Sequence, residues 1–278
     1  MKRILVPTDF SDCARAAENF GMYLARKAKA EICFLHLQST PVDWVKLSLE
    51  KEKLYPETKA QIASSNSELE KLKRRAEKMG VKAEHSLIFN KGREEIDKVL
   101  KVGRYDFVVM GSHGADGFKE LMGTNTQRVI RYSPVPVFVV KRELKRNELR
   151  DIVFASTFDE NVLPAFRQVQ EFSRLFNSKL HLLFVNTPYY FKGTKEAEAD
   201  METFVRKAST DVKYTKHIYS AHNQEFGIQN FSMDIRASAI AVVTHGKTGI
   251  ARTFSHSVSE SLVNHSEIPI LSLNMKQK

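Results

Sequence analysis

Short apolar runs alternate along this chain with longer amphipathic stretches. RILVPT, EICFLHL, EHSLIF, DFVVMG and VPVFVV, in order from Arg3, are β-branched or aromatic and nearly continuous in apolar character. Such runs suit strands covered on both faces, as in a parallel sheet. The segments between them have helical spacing. Ser11 or Asp12 is placed to N-cap a first helix. Leu69, Leu72, Ala76 and Met79 line one side of a second, which Gly80 ends. REEIDKVLKVG gives a third, closed by Gly103. Strand–helix alternation of this kind predicts βαβ units with right-handed crossovers, an α/β fold.

The pattern is written twice. RILVPTDFSDCARAAENFGMYLARKAKAEICFLHL opens the first half, and RDIVFASTFDENVLPAFRQVQEFSRLFNSKLHLLFV, from Arg150, repeats its plan. DFVVMGSHG is echoed by AIAVVTHG, and TQRVIRYSPVPVFVV by SESLVNHSEIPILSL. Two domains follow, residues 1–142 and 149–278, joined near KRELKRNELR. Open parallel sheets bind ligands beyond the carboxyl ends of their strands, where the strand order reverses. In the first half those ends are PTDFSD, LHLQ and MGSHG.

Composition narrows the classes. The chain has 278 residues, 42% hydrophobic and 27% charged, as expected of a soluble globular protein. No apolar run approaches the roughly 20 residues that span a bilayer. Asp9 interrupts the apolar stretch that a secretory leader needs, so a cytoplasmic location is expected. The two cysteines, Cys13 and Cys33, form no CxxC pair and no zinc-spaced cluster. The net charge of +10 is spread, and its densest runs, 71–82 and 141–150, also contain acids. They are read as a solvated helix face and a linker, with no nucleic-acid or membrane partner.

The candidate chemistry lies in GSHGADGFKELMGTNTQ, residues 111–127. Gly111 and Gly114 follow the fourth strand. Gly123, Thr124, Asn125 and Thr126 then open a helix containing Val129 and Ile130. The unpaired amides of a helix start, aided by the macrodipole, attract anions, and threonine hydroxyls can donate to phosphate oxygens. No Lys-Ser/Thr closes the loop, so it is not a Walker A motif. Asp9 is placed either to contact a ribose or a phosphate-bound metal, or to bond the amides of its own turn. Spacing alone favours the turn.

Taken together, VPTDFSD, VMGSHG, GTNT and PVFVV resemble the universal stress protein family, in both halves and over almost the whole chain. The resemblance implies two tandem Rossmann-like (HUP-type) domains, each an open five-stranded parallel sheet flanked by helices. It also implies pairing of last strands, here VPVFVV with IPILSL as an intramolecular pseudo-dimer, with homodimers of the full chain a further possibility. Many members bind ATP through a pattern of Gly, two residues, Gly, nine residues, Gly and Ser or Thr. Carried over, that implicates Asp9, with Pro7 and Thr8 shaping its turn, and Leu37 at the end of the second strand. It further implicates Met110, Gly111 and Gly114 in the loop, and Gly123, Thr124, Asn125 and Thr126 at the helix start. The expected role is stress-response nucleotide binding by the first half, with ATP, with or without Mg²⁺, as the ligand and no enzymatic turnover.

Two departures qualify the match. Only eight residues separate Gly114 from Gly123, shortening the reach of the loop by up to about 3.5 Å. In the second half, Thr157 stands in place of Asp9 and Val243 in place of Gly111. Gly246 is kept, but His256-Ser257 replaces the last Gly-Thr. That half is therefore expected to hold no nucleotide. A nucleotide-free scaffold is the main alternative. An adenylating enzyme is a distant one, because no Ser-Gly-Gly loop or His-x-Gly-His signature follows the first strand. His113 and His245 have no metal-spaced partners, so no metal site is expected. Trp44 lies in a long connection that is either packed on its own domain or a lid.

Overall fold

The computed structural model describes residues 1–90, 99–100, 103–112, 126, 129–131, 133–145, 148–244 and 256–274. The first half contributes strands β1 (Arg3–Pro7), β2 (Glu31–Ser39), β3 (Ala83–Asn90), β4 (Phe107–Gly111) and β5 (Val137–Val140). The second contributes β6 (Asp151–Ala155), β7 (Lys179–Asn186), β8 (Tyr214–Ser220), β9 (Ala239–Thr244) and β10 (Ile270–Asn274). Helices α1 (Asp12–Ala28), α2 (Leu49–Glu52) and α3 (Pro56–Lys78) belong to the first half. Helices α4 (Leu163–Phe176), α5 (Thr194–Ala208), α6 (Gln224–Asp234) and α7 (His256–His265) belong to the second.

The strands form one ten-stranded sheet in the order β3-β2-β1-β4-β5-β10-β9-β6-β7-β8. Pairing is parallel within each half. Where the halves meet, β5 and β10 run antiparallel, with Phe138 opposite Leu271. The central strands are buried along their length, as their unbroken apolar runs require.

Local signals set the helices. Ser11 N-caps α1, its hydroxyl accepting the amide of Ala14 at 3.2 Å, while Arg26 and Lys27 sit at the negative end of the helix dipole. On α3, Ser65, Leu69, Leu72 and Ala76 form the buried stripe. Met79 caps that helix and Gly80 takes φ +76°, a left-handed turn that suits glycine. The repeat extends to backbone detail. Phe10 and Phe158, 148 residues apart, have φ of 64° and 60°, and the caps Lys29 and Asn177 have 52° and 53°.

One polar cluster lies inside the second half. His181 Nε2 meets the carboxylate of Asp151 at 2.9 Å, and its Nδ1 lies 3.2 Å from both His217 Nε2 and Thr215 Oγ1. With Asp151 as acceptor, the Nε2–H of His181 donates to it, and in the neutral ring Nδ1 is left to accept. Burial holds the His217 imidazole below its usual pKa, helped by the neighbouring His181 and Lys179, and its ring packs on Phe231. The unfolded chain therefore takes up a proton that the fold resists. This cost is absent above the ordinary histidine pKa of about 6.5 and grows as pH falls below it. Urea unfolding of the wild type and of His217→Gln at pH 7.5 and 5.5 is expected to show a steeper acid loss in the wild type. Equal losses would show that His217 contributes nothing to it.

Candidate functional site

In the first half, β1 lies between β2 and β4, so the chain leaves it in one direction first and the other direction later. That switch point brings the turn after β1 beside the end of β4. Asp9 is exposed in this turn and Gly111 closes β4.

The turn is built from the chain's own groups. Thr8 is buried, and its amide donates to Leu35 O at 2.8 Å. Its hydroxyl accepts the Phe10 amide at 2.9 Å and donates to Glu18 Oε1 at 2.5 Å. Asp9 Oδ1 accepts the Ser11 amide at 3.0 Å. The turn-stabilising role foreseen for this carboxylate is thus present, and it occupies one of the two oxygens. His36 Nδ1 lies 2.8 Å from the Thr8 carbonyl, which can only accept, so that nitrogen bears the proton. The Phe10 ring rests against the same imidazole, with centroids 4.7 Å apart.

Three other described candidates lie on strands of the first half. Pro7 ends β1, half-buried. Leu37 is half-buried on β2, and Met110 is buried on β4. Thr126 is helical and buried. Gly114, Gly123, Thr124 and Asn125 lie outside the described residues, as do Gly246, His113 and His245. Gly111 has a clear steric reason: a Cβ there would meet Cys13 O at 2.3 Å. The close approach it permits is that of the α1 backbone.

In the second half the ladders put Val243 opposite Leu273, as Gly111 is opposite Val140. Val243 is fully buried. Thr157 is buried too, its hydroxyl donating to Asp159 at 2.7 Å. His256 and Ser257 begin α7.

Two buried charges escaped the sequence reading. Glu18 is 3% exposed on α1, and burial pushes its carboxyl pKa up against the lowering pull of Thr8, Arg75 and Arg15. Its place beside Ala14, Ala17 and Gly21 on the apolar side of α1 was the available signal. Lys141 follows β5, and burial lowers its pKa to about 8. A charge abutting an all-apolar strand was the signal there. Trp44 is buried against Tyr55 and Phe89, so it packs its connection onto its own half. Among the described residues, no three His, Cys, Asp or Glu side chains gather as metal ligands, and no helix is long and apolar enough to cross a membrane.

Comparison with known proteins places both halves of the chain in one family. The model of the universal stress protein family matches the chain twice, at residues 1–141 and 148–273. Universal stress protein MJ0577 of Methanocaldococcus jannaschii is 31% identical over 156 residues, which is 51% of this chain and 96% of that protein. Universal stress protein MJ0531 of the same organism is 30% identical over 146 residues, 52% of this chain and 84% of that protein. The crystal structure of a universal stress protein from Archaeoglobus fulgidus superposes with a TM-score of 0.75 at 23% identity, covering 99% of this chain and 98% of that one.

Proposed function

The chain belongs to the universal stress protein family, and on that premise we propose that its first half, residues 1–142, binds one adenine nucleotide, ATP, as a stress-response signal. Residues 149–278 keep the fold and the pairing surface without a nucleotide. In this reading Gly111, Gly114 and the amides and hydroxyls from Gly123 to Thr126 hold the phosphates. The backbone around Leu37 meets the adenine. Asp9 uses its second carboxylate oxygen for the ribose or for a phosphate-bound Mg²⁺. The protein acts in the cytoplasm by binding, with no turnover required.

The observation that carries this reading is the switch point. Asp9 and Gly111 flank the β1–β4 crevice in the first half, where an open parallel sheet takes its ligand. At the same crevice of the second half stand Thr157 and Val243, both buried. That contrast supports one site rather than two.

A nucleotide-free scaffold is the competing reading. It is favoured by the short loop and by the bond that Asp9 already makes to Ser11. Denaturing the purified protein and identifying what it releases separates the two. Adenine nucleotide, at no more than one per chain, is the expected result. On refilling with ATP, a micromolar affinity corresponds to about −8 kcal/mol. Release of two nucleotides per chain would overturn the assignment to the first half alone. Protein that is empty and takes up no ATP would leave the scaffold.

A further inference from the structure

Three polar atoms converge on one face of the second half. In the β7–β8 ladder His181 is opposite Thr215 and Leu183 is opposite His217, so His181, Thr215 and His217 share that face. His181 Nδ1 lies 3.2 Å from His217 Nε2 and 3.2 Å from Thr215 Oγ1. His217 Nε2 lies 2.9 Å from the same oxygen, which closes the triangle. On its far side the His181 ring donates Nε2–H to Asp151 at 2.9 Å. The hydroxyl brings one proton, Nε2 of His217 brings at most one, and Nδ1 of neutral His181 brings none. At most two of the three contacts are therefore hydrogen bonds. The separations are also close to those of ligands around one ion. A tetrahedral zinc with nitrogens at about 2.0–2.1 Å holds them about 3.3–3.4 Å apart. A carboxylate on the other nitrogen of a ligating histidine fixes its tautomer and ring orientation, and Asp151 stands in that place.

We propose that His181 and His217 bind one divalent late first-row metal ion, Zn²⁺ for choice, with Thr215 and water completing its shell and Asp151 as the positioning carboxylate. Imidazole nitrogen suits zinc, nickel and copper, whereas Mg²⁺ takes oxygen ligands. With His217 as its Nδ1–H tautomer, both facing nitrogens turn lone pairs to the ion and neither ring has to lose a proton. Burial holds the His217 imidazole below its usual pKa, so the ring is neutral near pH 7, the state a ligand needs. Lys179 lies opposite Asp151 in the β6–β7 ladder, and that carboxylate offsets its charge. Two protein nitrogens are fewer than a structural zinc site has, so the ion exchanges and keeps open positions. Access is from the sheet edge: β8 is its last strand, and Thr215 and His217 are half-buried there. Spacing along the chain could not show the site, because strand pairing joins residues 34 and 36 positions apart. The proposal is independent of the nucleotide reading and gives the second half a ligand of its own.

Titration of Zn²⁺ against a chromophoric chelator tests the proposal, using full-length, untagged protein stripped with EDTA. The wild type is expected to hold one Zn²⁺ that His217→Gln and Asp151→Asn each hold roughly 10- to 100-fold more weakly. Zn²⁺ should also raise the urea midpoint of the wild type and not that of His217→Gln, and Mg²⁺ should move neither. The other histidines and both cysteines are present in every variant, so adventitious binding to them cancels in the comparison. Equal Zn²⁺ affinity in the wild type and His217→Gln overturns the proposal and leaves the two histidines bonded only to each other. Should His217→Gln not fold, Asp151→Asn carries the test, since it keeps the size of the side chain, and an affinity equal to the wild type's overturns the proposal.

Discussion

Replacing Phe172 by alanine is expected to destabilise the chain by about 3–5 kcal/mol, the usual cost of removing a buried phenylalanine. Phe172 lies on α4 of the second half and is 1% exposed, yet two of its neighbours belong to the first half. Its ring stacks on Phe107 at 5.7 Å with 5° between planes, and packs on Phe138 at 5.3 Å. Phe176 of the same helix lies 5.0 Å away and also reaches Phe20 of α1, at 6.0 Å. Phe138 in turn packs on Phe20 at 4.8 Å. These rings make a core shared by both halves directly over the β5–β10 pairing. Removing one leaves a void lined by aromatic surface. Denaturant unfolding followed by circular dichroism measures the loss. Phe204→Ala, within the second half, provides the comparison. Its ring packs only on Phe158 and Phe166 among the aromatic contacts of the described residues. If the shared core joins the halves, Phe172→Ala should split a single transition into two, whereas Phe204→Ala should lower it without splitting. A loss below about 1 kcal/mol for Phe172→Ala would mean that the halves are held by backbone pairing alone.

That shared core shows what a sequence can and cannot disclose. The strands were legible because each is a buried run whose apolar character is a property of its own residues: RILVPT, EICFLHL, EHSLIF, DFVVMG and VPVFVV all contain or contribute the strands found. Capping by Ser11 and the stop at Gly80 were legible for the same reason, since both act within a few residues. Phe172 was legible only as an apolar position on a helix. Nothing in the spacing of QEFSRLF says that its ring meets Phe107. Glu18 and Lys141 ran against the pattern, as charges at buried positions. Their partners, Thr8, Arg75, Ser112 and Val263, are brought to them by the fold. A buried charge can be noticed in a sequence, but the group that satisfies it is a matter of three dimensions.

The candidate site was legible in a different sense. Gly111 was marked by its place after an apolar run and Asp9 by its turn, the family resemblance gave both a role, and the sheet topology puts both beside the β1–β4 switch point. The local reasons for the two residues proved partly internal to the fold. Asp9 holds the amide of Ser11, and Gly111 lets α1 come close. A glycine in a loop signals that something approaches its backbone, without saying whether that is a ligand or a helix.

Gly111→Ala is accordingly expected to cost about 1–3 kcal/mol, the range for forcing extra atoms into a packed site. The new methyl group would lie 2.3 Å from Cys13 O, 2.5 Å from Cys13 C and 2.9 Å from Ala14 N. All three are backbone atoms, so no side-chain rotation relieves the clash, and either β4 or the first turn of α1 must move. The second half shows the alternative solution. Val243 occupies the matching position, and there the chain enters its helix through a 3-10 turn, Glu160–Val162, ahead of α4. In the first half, α1 starts at Asp12 with Ser11 as its cap, and the Asp9 turn is bonded to that same Ser11. Displacing α1 therefore moves the Asp9 turn as well. Gly111→Ala should lower the unfolding free energy and weaken ATP binding together, whereas Val243→Ala should lower stability with ATP binding intact. Calorimetric titration alongside denaturant unfolding of both variants checks the pair. If Gly111→Ala proves as stable as the wild type, α1 has room to yield. The glycine would then have to be explained by a ligand, with the helix playing no part.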